Sequence, residues 1–123
     1  IHVLKDPTRG GLAAALNEIA EASGVQIEID EQRIPVRVEV VGACEMLGLD
    51  PLIVANEGKM VVVVKGSVAA EVVKWLKRQK YGRQAAVIGR VVAKGTPRVI
   101  IRTSIGGMRI VDMPYGEQLP RIC

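Results

Sequence analysis

The side chain best suited to covalent chemistry is the thiol of Cys123, the last residue of the sequence. A thiolate is a strong nucleophile and forms covalent intermediates. The ten residues from Pro114 to Cys123 reach roughly 30 Å when extended, at about 3.3–3.6 Å per residue. A thiol on such a tail can be carried between separate reaction sites. The alternative is a chance terminal residue or the boundary of an expressed fragment.

A carboxylate, Glu57, lies between Asn56 and Gly58, directly before an apolar run that starts at Met60. A turn that leads into a buried strand can hold a carboxylate at the edge of a sheet. There it can act as a general base. The alternative is a glutamate that only faces water.

A third candidate is the segment that precedes the first predicted helix, and it consists of Asp6, Pro7, Thr8, Arg9, Gly10 and Gly11. Free backbone N–H groups and the positive end of the helix dipole can hold an anion such as phosphate at this point. Glycines let an anion approach the backbone closely. The alternative is a plain helix start that Asp6 or Thr8 caps.

Other reaction centres are not expected. His2 is the only histidine, and Cys44 and Cys123 lie far apart, so no zinc-ligand spacing exists and we expect no metal site within the chain. Triads that need histidine would depend on His2 near a terminus. Cys44 lies on the apolar side of a predicted helix and is expected to be a buried small hydrophobe.

Composition indicates one globular domain, with 123 residues, 49% hydrophobic and 24% charged. The net charge is +4, but the basic cluster at Lys74, Lys77, Arg78, Lys80 and Arg83 is expected to be a solvated helix face. No nucleic-acid motif accompanies it. Two cysteines favour a reducing cytoplasm, and no apolar run approaches the ~20 residues of a membrane span. Because the sequence starts without Met, we expect a fragment of a longer protein.

The elements that position these candidates follow from hydrophobic periodicity. Helices are predicted over residues 12–23, over 38–47 and from an N-cap at Ser67 to about residue 80, the last with Val68, Val72, Trp75 and Leu76 inward. Strands are predicted over residues 25–29, 60–64, 84–93, 98–103 and 108–111. The run 60–64 is expected to be a central strand covered on both faces. We therefore predict an α/β (α+β) sandwich with a mixed sheet over residues 1–113, and a flexible tail over 114–123.

Taken together, four motifs resemble those of the hydrogenase expression/formation family HypE. They are DPTRGGL from Asp6, ANEG from Ala55, AVIG from Ala86 and DMPYGEQLPRIC from Asp112. The resemblance covers essentially the whole chain as the C-terminal domain of that family. It implies the C-terminal fold of the aminoimidazole-ribonucleotide-synthetase (PurM-like) superfamily.

The resemblance implies a carbamoyl dehydratase that makes the cyanide ligands of nickel–iron hydrogenases. Cys123 would accept a carbamoyl group, and ATP-dependent dehydration would convert it to a thiocyanate. Glu57 would be the base, oriented by Asn56 and Gly58. The tail residues implied are Gly116 as hinge, Pro114 and Pro120 as stiff flanks, Arg121 to steer the tail or favour the thiolate, and Ile122 beside the acceptor.

The resemblance also implies cofactors and partners. The loop of Asp6, Thr8, Arg9, Gly10 and Gly11 would lie near the ATP phosphates or the modified tail. ATP and Mg²⁺ would be held mainly by an N-terminal domain, so we expect none bound to this fragment and no turnover by it alone. The partners would be a carbamoyltransferase, an iron-carrying complex of two maturation proteins and, at full length, a second copy. The alternatives are a non-catalytic binding module, or a purine-pathway or selenophosphate synthetase domain.

Overall fold

The structure is a computed structural model, and it describes residues 2–54 and 59–114. The described strands are β1 Val3–Lys5, β2 Val25–Asp30, β3 Val61–Val63, β4 Gly89–Lys94, β5 Arg98–Arg102 and β6 Met108–Val111. The described α-helices are α1 Gly11–Ser23, α2 Val38–Leu47 and α3 Ala69–Lys77. Short 3-10 helices lie at Glu31–Arg33, Pro51–Ile53 and Gly66–Val68.

The main sheet has the strand order β4-β2-β5-β6. β2 pairs antiparallel with β4 and parallel with β5, which in turn pairs antiparallel with β6. The predicted mixed sheet is thus confirmed. The strict alternation of β2 puts Val25, Ile27 and Ile29 on the buried face, because successive side chains point to opposite faces of a strand.

Helix α1 covers the buried face of this sheet and forms the core with it. Its apolar residues recur at helical spacing, and Ala13, Leu16, Ile19 and Ala20 are buried in one cluster with the buried side chains of β2 and β5. Val99 and Ile101 of β5 are fully buried. Burial of this kind stabilises by about 1.5–3 kcal/mol for each large aliphatic side chain. The cluster therefore fixes α1, the helix that begins at the candidate anion loop.

The run of valines before α3 is not the central strand that we predicted. Val61–Val63 pairs only with β1 among the described strands, in a two-stranded antiparallel sheet with Val3 opposite Val63. Its three residues are half-buried. An apolar run indicates an apolar environment but does not specify neighbours, and β1 was missed because three residues carry no periodic signal.

The region around α3 also differs from the prediction. The α-helix starts at Ala69 with no side-chain cap, so Ser67 is not the N-cap. Trp75 is 60% exposed and Val68 37% exposed, so neither points inward as predicted. Val72 and Leu76, the other two residues of the predicted apolar face, are half-buried, so the described residues cover this face only in part. The basic cluster is exposed, as predicted.

Residues 84–88 do not form the first part of a strand, because β4 starts at Gly89. The Ile88 carbonyl nonetheless accepts a hydrogen bond from the Asp30 N–H at 2.9 Å, which guides the chain onto β2. Within the described part, the longest helix is α1 with 13 residues, too short to cross a membrane, which takes about 20. None of the described helices is long and apolar enough for that role.

Candidate functional site

In the loop before α1, only backbone groups form the start of the helix. Gly10, at φ 76°, is the N-cap, and no side chain caps the helix. The Gly11 N–H donates to the Thr8 carbonyl at 3.1 Å, and the Ala14 N–H donates to the Gly10 carbonyl at 3.2 Å. The alternative in which Asp6 or Thr8 caps the helix is therefore wrong. Asp6 and Arg9 are exposed and Thr8 is half-buried, so all three border the helix N-terminus without closing it.

Gly11 lies against Leu52 and Val54, which directly precede the predicted Glu57 segment in the chain. A Cβ on Gly11 would stand 2.5 Å from the Val54 carbonyl oxygen and 2.7 Å from that of Leu52. No side chain fits there, and φ is +63°, a conformation that favours glycine. Residues 55–58, with Asn56, Glu57 and Gly58, follow directly and lie outside the described residues.

Gly10 lies against Pro114, the first residue of the predicted tail. A Cβ on Gly10 would stand 3.1 Å from Cγ of Pro114. Pro114 is therefore in contact with the helix start that also holds Val54. Val54 and Pro114 are the last described residues before the two predicted catalytic segments, and we call them the roots of the Glu57 loop and of the Cys123 tail. They are far apart in sequence but meet at two consecutive glycines.

Two further contacts tie these roots to the body of the domain. The Nδ2 group of Asn17 donates to the Val111 carbonyl at 2.9 Å, at the end of β6. Nη2 of Arg109, also in β6, lies 3.4 Å from Oδ2 of Asp50, while Oδ1 of Asp50 accepts the Leu52 N–H at 2.9 Å. Asp50 thus caps the 3-10 helix that leads to Val54 and holds it against the strand that leads to the tail.

The sequence did not reveal Asn17, Asp50 or Arg109 as site residues. The available signal was weak. Asn17 is a polar residue between buried Leu16 and Ile19, and such a position in a helix indicates a specific hydrogen bond. The partner of that bond lies 94 residues away, and only the fold shows it.

Several predicted site residues lie outside the described part of the chain. Besides residues 55–58, these are the tail residues Gly116, Pro120, Arg121, Ile122 and Cys123. Chain length alone limits Glu57 to roughly 10 Å from Val54, three residues before it. The same limit for Cys123, nine residues after Pro114, is roughly 30 Å. A meeting of the two groups is therefore within reach of the chain.

The remaining reactive side chains are not gathered into a site. Cys44 is buried with 5% exposure, as predicted, and His2 is exposed. Within residues 2–54 and 59–114, no three His, Cys, Asp or Glu side chains come together in a way that could hold a metal ion.

The chain resembles known proteins over its whole length. Residues 1–102 match the family model described as AIR synthase related protein, C-terminal domain. A relative from Rhodobacter capsulatus, named carbamoyl dehydratase HypE, is 53% identical over all 123 residues. The chain spans only 36% of that relative's length.

Solved structures have the same fold. A crystal structure of hydrogenase maturation protein HypE in complex with ATP matches with a TM-score of 0.91 and 44% identity, over 100% of this chain and 38% of that one. A crystal structure of a HypE-HypF complex matches with a TM-score of 0.85 and 47% identity, over 91% of this chain and 36% of that one. The predicted resemblance and fold class are confirmed, and the chain belongs to the family of AIR synthase related protein C-terminal domains.

Proposed function

We propose that this chain is the C-terminal domain of a carbamoyl dehydratase that serves in the maturation of nickel–iron hydrogenases. The observation that carries the proposal is the meeting of two roots at one helix start. Val54, the root of the Glu57 loop, contacts Gly11, and Pro114, the root of the Cys123 tail, contacts Gly10. The 53% identity to a HypE protein over the whole chain supports the same function.

In the proposed reaction, the Cys123 thiolate carries a carbamoyl group as a thiocarbamate, S–C(=O)–NH₂. The amide oxygen attacks the γ-phosphorus of ATP, ADP leaves, and the oxygen becomes part of a phosphate ester. The C–O bond then breaks and phosphate departs. Two protons leave the nitrogen as the C≡N bond forms, so the products are a thiocyanate, ADP, phosphate and one net proton.

Glu57 is proposed as the base that removes a proton from the nitrogen. Its loop starts beside a helix N-terminus, and a tail that reaches roughly 30 Å can bring the thiocarbamate to it. Asn56 would orient the carboxylate, and Gly58 would keep the approach narrow. Exclusion of water at this step protects the reactive intermediate from hydrolysis.

The loop of Asp6, Thr8, Arg9, Gly10 and Gly11 is proposed to lie near the phosphates or the modified tail. A helix start without a side-chain cap leaves backbone N–H groups for an anion, and Arg9 adds a positive charge beside it. ATP and Mg²⁺ would otherwise be held outside this domain, since the chain spans about a third of its relatives' length. We therefore expect no turnover by this chain alone.

Residues 114–123 are proposed to act as a mobile tail, inward for dehydration and outward for loading and delivery. Gly116 would be the hinge between Pro114 and Pro120, and Arg121 and Ile122 would guide Cys123. Loading would come from a carbamoyltransferase, in line with the HypE-HypF complex of similar structure. Delivery of cyanide would go to an iron-carrying complex of two maturation proteins. We place the full-length homodimer in the cytoplasm, where a free thiol stays reduced.

Mass spectrometry of the full-length protein tests the function. After incubation with the carbamoyltransferase, carbamoyl phosphate and ATP, the C-terminal peptide is expected to appear first carbamoylated and then dehydrated. Cys123→Ala should remove both modifications, whereas Cys44→Ala, the matched control, should keep them. An unmodified Cys123 would leave only a binding module or another synthetase of the superfamily.

A second comparison tests the base. Glu57→Gln should leave carbamoylation intact and stop dehydration, because the amide keeps the size of the carboxylate but accepts no proton. Glu45→Gln, an exposed position on α2, is the matched control. Normal thiocyanate formation by Glu57→Gln would remove Glu57 from the mechanism.

A further inference from the structure

The side chain of Asn17 joins α1 to β6 by a hydrogen bond. Its Nδ2 group donates to the Ala13 carbonyl one turn earlier, at 2.9 Å, and to the Val111 carbonyl at 2.9 Å. Both acceptors are carbonyl oxygens, so the NH₂ group and not Oδ1 must face them. Its two protons are both used, which fixes the direction of the amide.

The Val111 carbonyl is the last backbone acceptor of β6. This strand is at the edge of the described sheet and pairs only with β5. Beyond Val111 the chain leaves the sheet, and three residues later Pro114 lies against Gly10. Helix α1 thus holds the start of the tail at two points, a hydrogen bond at Asn17 and a close contact at Gly10.

We propose that Asn17 is a positioning residue for dehydration, which fixes the direction in which the tail leaves the domain. The inference rests on the proposed function of Cys123. Nine residues separate Pro114 from Cys123, so the point at which the tail leaves the domain limits the positions that the thiol can reach. Dehydration requires one position of the thiol, at the base, and therefore depends on this exit point more than loading does, in which a partner protein captures the tail.

The two half-reactions are consequently expected to separate. Carbamoylation takes place on a tail held by the transferase and needs no particular exit direction. Dehydration needs the thiocarbamate at the base, where a displacement of about 1 Å can lower the rate by up to ~100-fold. Loss of the Asn17 bond should slow dehydration and leave loading unchanged.

The test uses single-turnover dehydration of the carbamoylated full-length protein. Asn17→Leu keeps the approximate shape and removes both donors, and Asn17→Asp keeps the size and places a carboxylate against two carbonyl oxygens. Both should lower the dehydration rate roughly 10- to 100-fold, with carbamoylation within twofold of the unchanged protein and an unchanged KM for ATP. A general loss of folding would lower the dehydration rate and carbamoylation together.

Two control variants separate positioning from stability. Ala20→Gly weakens the same helix at a buried position that no β6 hydrogen bond involves, and it should dehydrate at the normal rate. Gln79→Leu removes another amide that bonds to a carbonyl four residues earlier, on an exposed surface, and should have no effect. Hydrogen exchange supplies a readout without turnover, since the amides of β6 that pair with β5 should exchange faster in Asn17→Leu than in Ala20→Gly.

The outcomes are distinguishable. If the unchanged protein does not dehydrate its tail, the proposed function fails, and the role of Asn17 fails with it. If the unchanged protein dehydrates and both Asn17 variants do so at the same rate, the function stands and the inference is overturned. Equal slowing by Ala20→Gly would also overturn it, because stability of α1 would then explain the effect.

Discussion

Gly11, the first residue of α1, lies so close to Val54 that a Cβ would stand 2.5 Å from the Val54 carbonyl oxygen. The contact joins the helix N-terminus to Val54, the last described residue before Glu57. It makes the glycine a requirement of packing as well as of backbone conformation. Any larger residue must displace the backbone of residues 52–54.

Gly11→Ala is therefore expected to destabilise the domain strongly. The left-handed backbone alone costs about 1–3 kcal/mol for a residue with a Cβ, and the overlap with two carbonyl oxygens adds to it. Gly24→Ala is the matched control, because Gly24 has the same φ of +63° with no atom within 4 Å of the added Cβ. Chemical denaturation measures both. An equal loss of unfolding free energy in the two variants would contradict the packing argument.

Asp50 is expected to matter more than Arg109, although they form one ion pair. Their side chains are 41% and 49% exposed, so solvent screens the pair and its coupling is about 0.2–1 kcal/mol. Asp50 also accepts the Leu52 N–H at 2.9 Å, a cap worth about 0.5–2 kcal/mol. Asp50→Ala and Arg109→Ala, with the double variant, give the coupling, which should fall at high salt. A larger effect of Arg109 would contradict the capping role.

Trp75 is expected to be nearly neutral for the stability of this domain. It is 60% exposed on α3, so Trp75→Ala should change the unfolding free energy by no more than about 0.5 kcal/mol. Ile101→Ala, at a fully buried position of β5, should cost about 2–5 kcal/mol. Trp75 is also the only tryptophan of the sequence, so its fluorescence should be quenched by acrylamide in the folded domain. A shielded, blue-shifted emission would show that α3 packs inward.

Cys44 is expected to react with thiol reagents only when the domain opens. Its side chain is 5% exposed on α2, and a buried thiol is protected from reagents in solution. In the Cys123→Ala variant of this chain, labelling of Cys44 should be slow in buffer and fast in denaturant. Rapid labelling in buffer would place α2 away from the 3-10 helix at Pro51–Ile53.

Local sequence patterns account for most of the elements. The periodicity of residues 12–23 and 38–47 predicted α1 and α2 nearly to the residue, and strict alternation predicted β2. The predictions failed for two segments, because an apolar pattern does not specify the neighbours against which a segment packs. Val61–Val63 pairs with a strand of three residues that has no periodic signal, and the apolar stripe of α3 is covered only in part by the described residues.

The candidate site also combines features that the sequence reveals with features that only the fold reveals. The sequence alone identified the candidate groups for chemistry, since a thiol, a carboxylate and a glycine-rich helix start are recognised by residue type and motif. The tertiary structure alone decided that Val54 and Pro114 meet at Gly11 and Gly10, and that Asn17 holds Val111. The physical reason is that hydrogen bonds and close contacts between residues far apart in sequence exist only after the core has packed. Propensity and periodicity describe the conformation of a local segment and carry no information about the residues that contact it from elsewhere in the sequence.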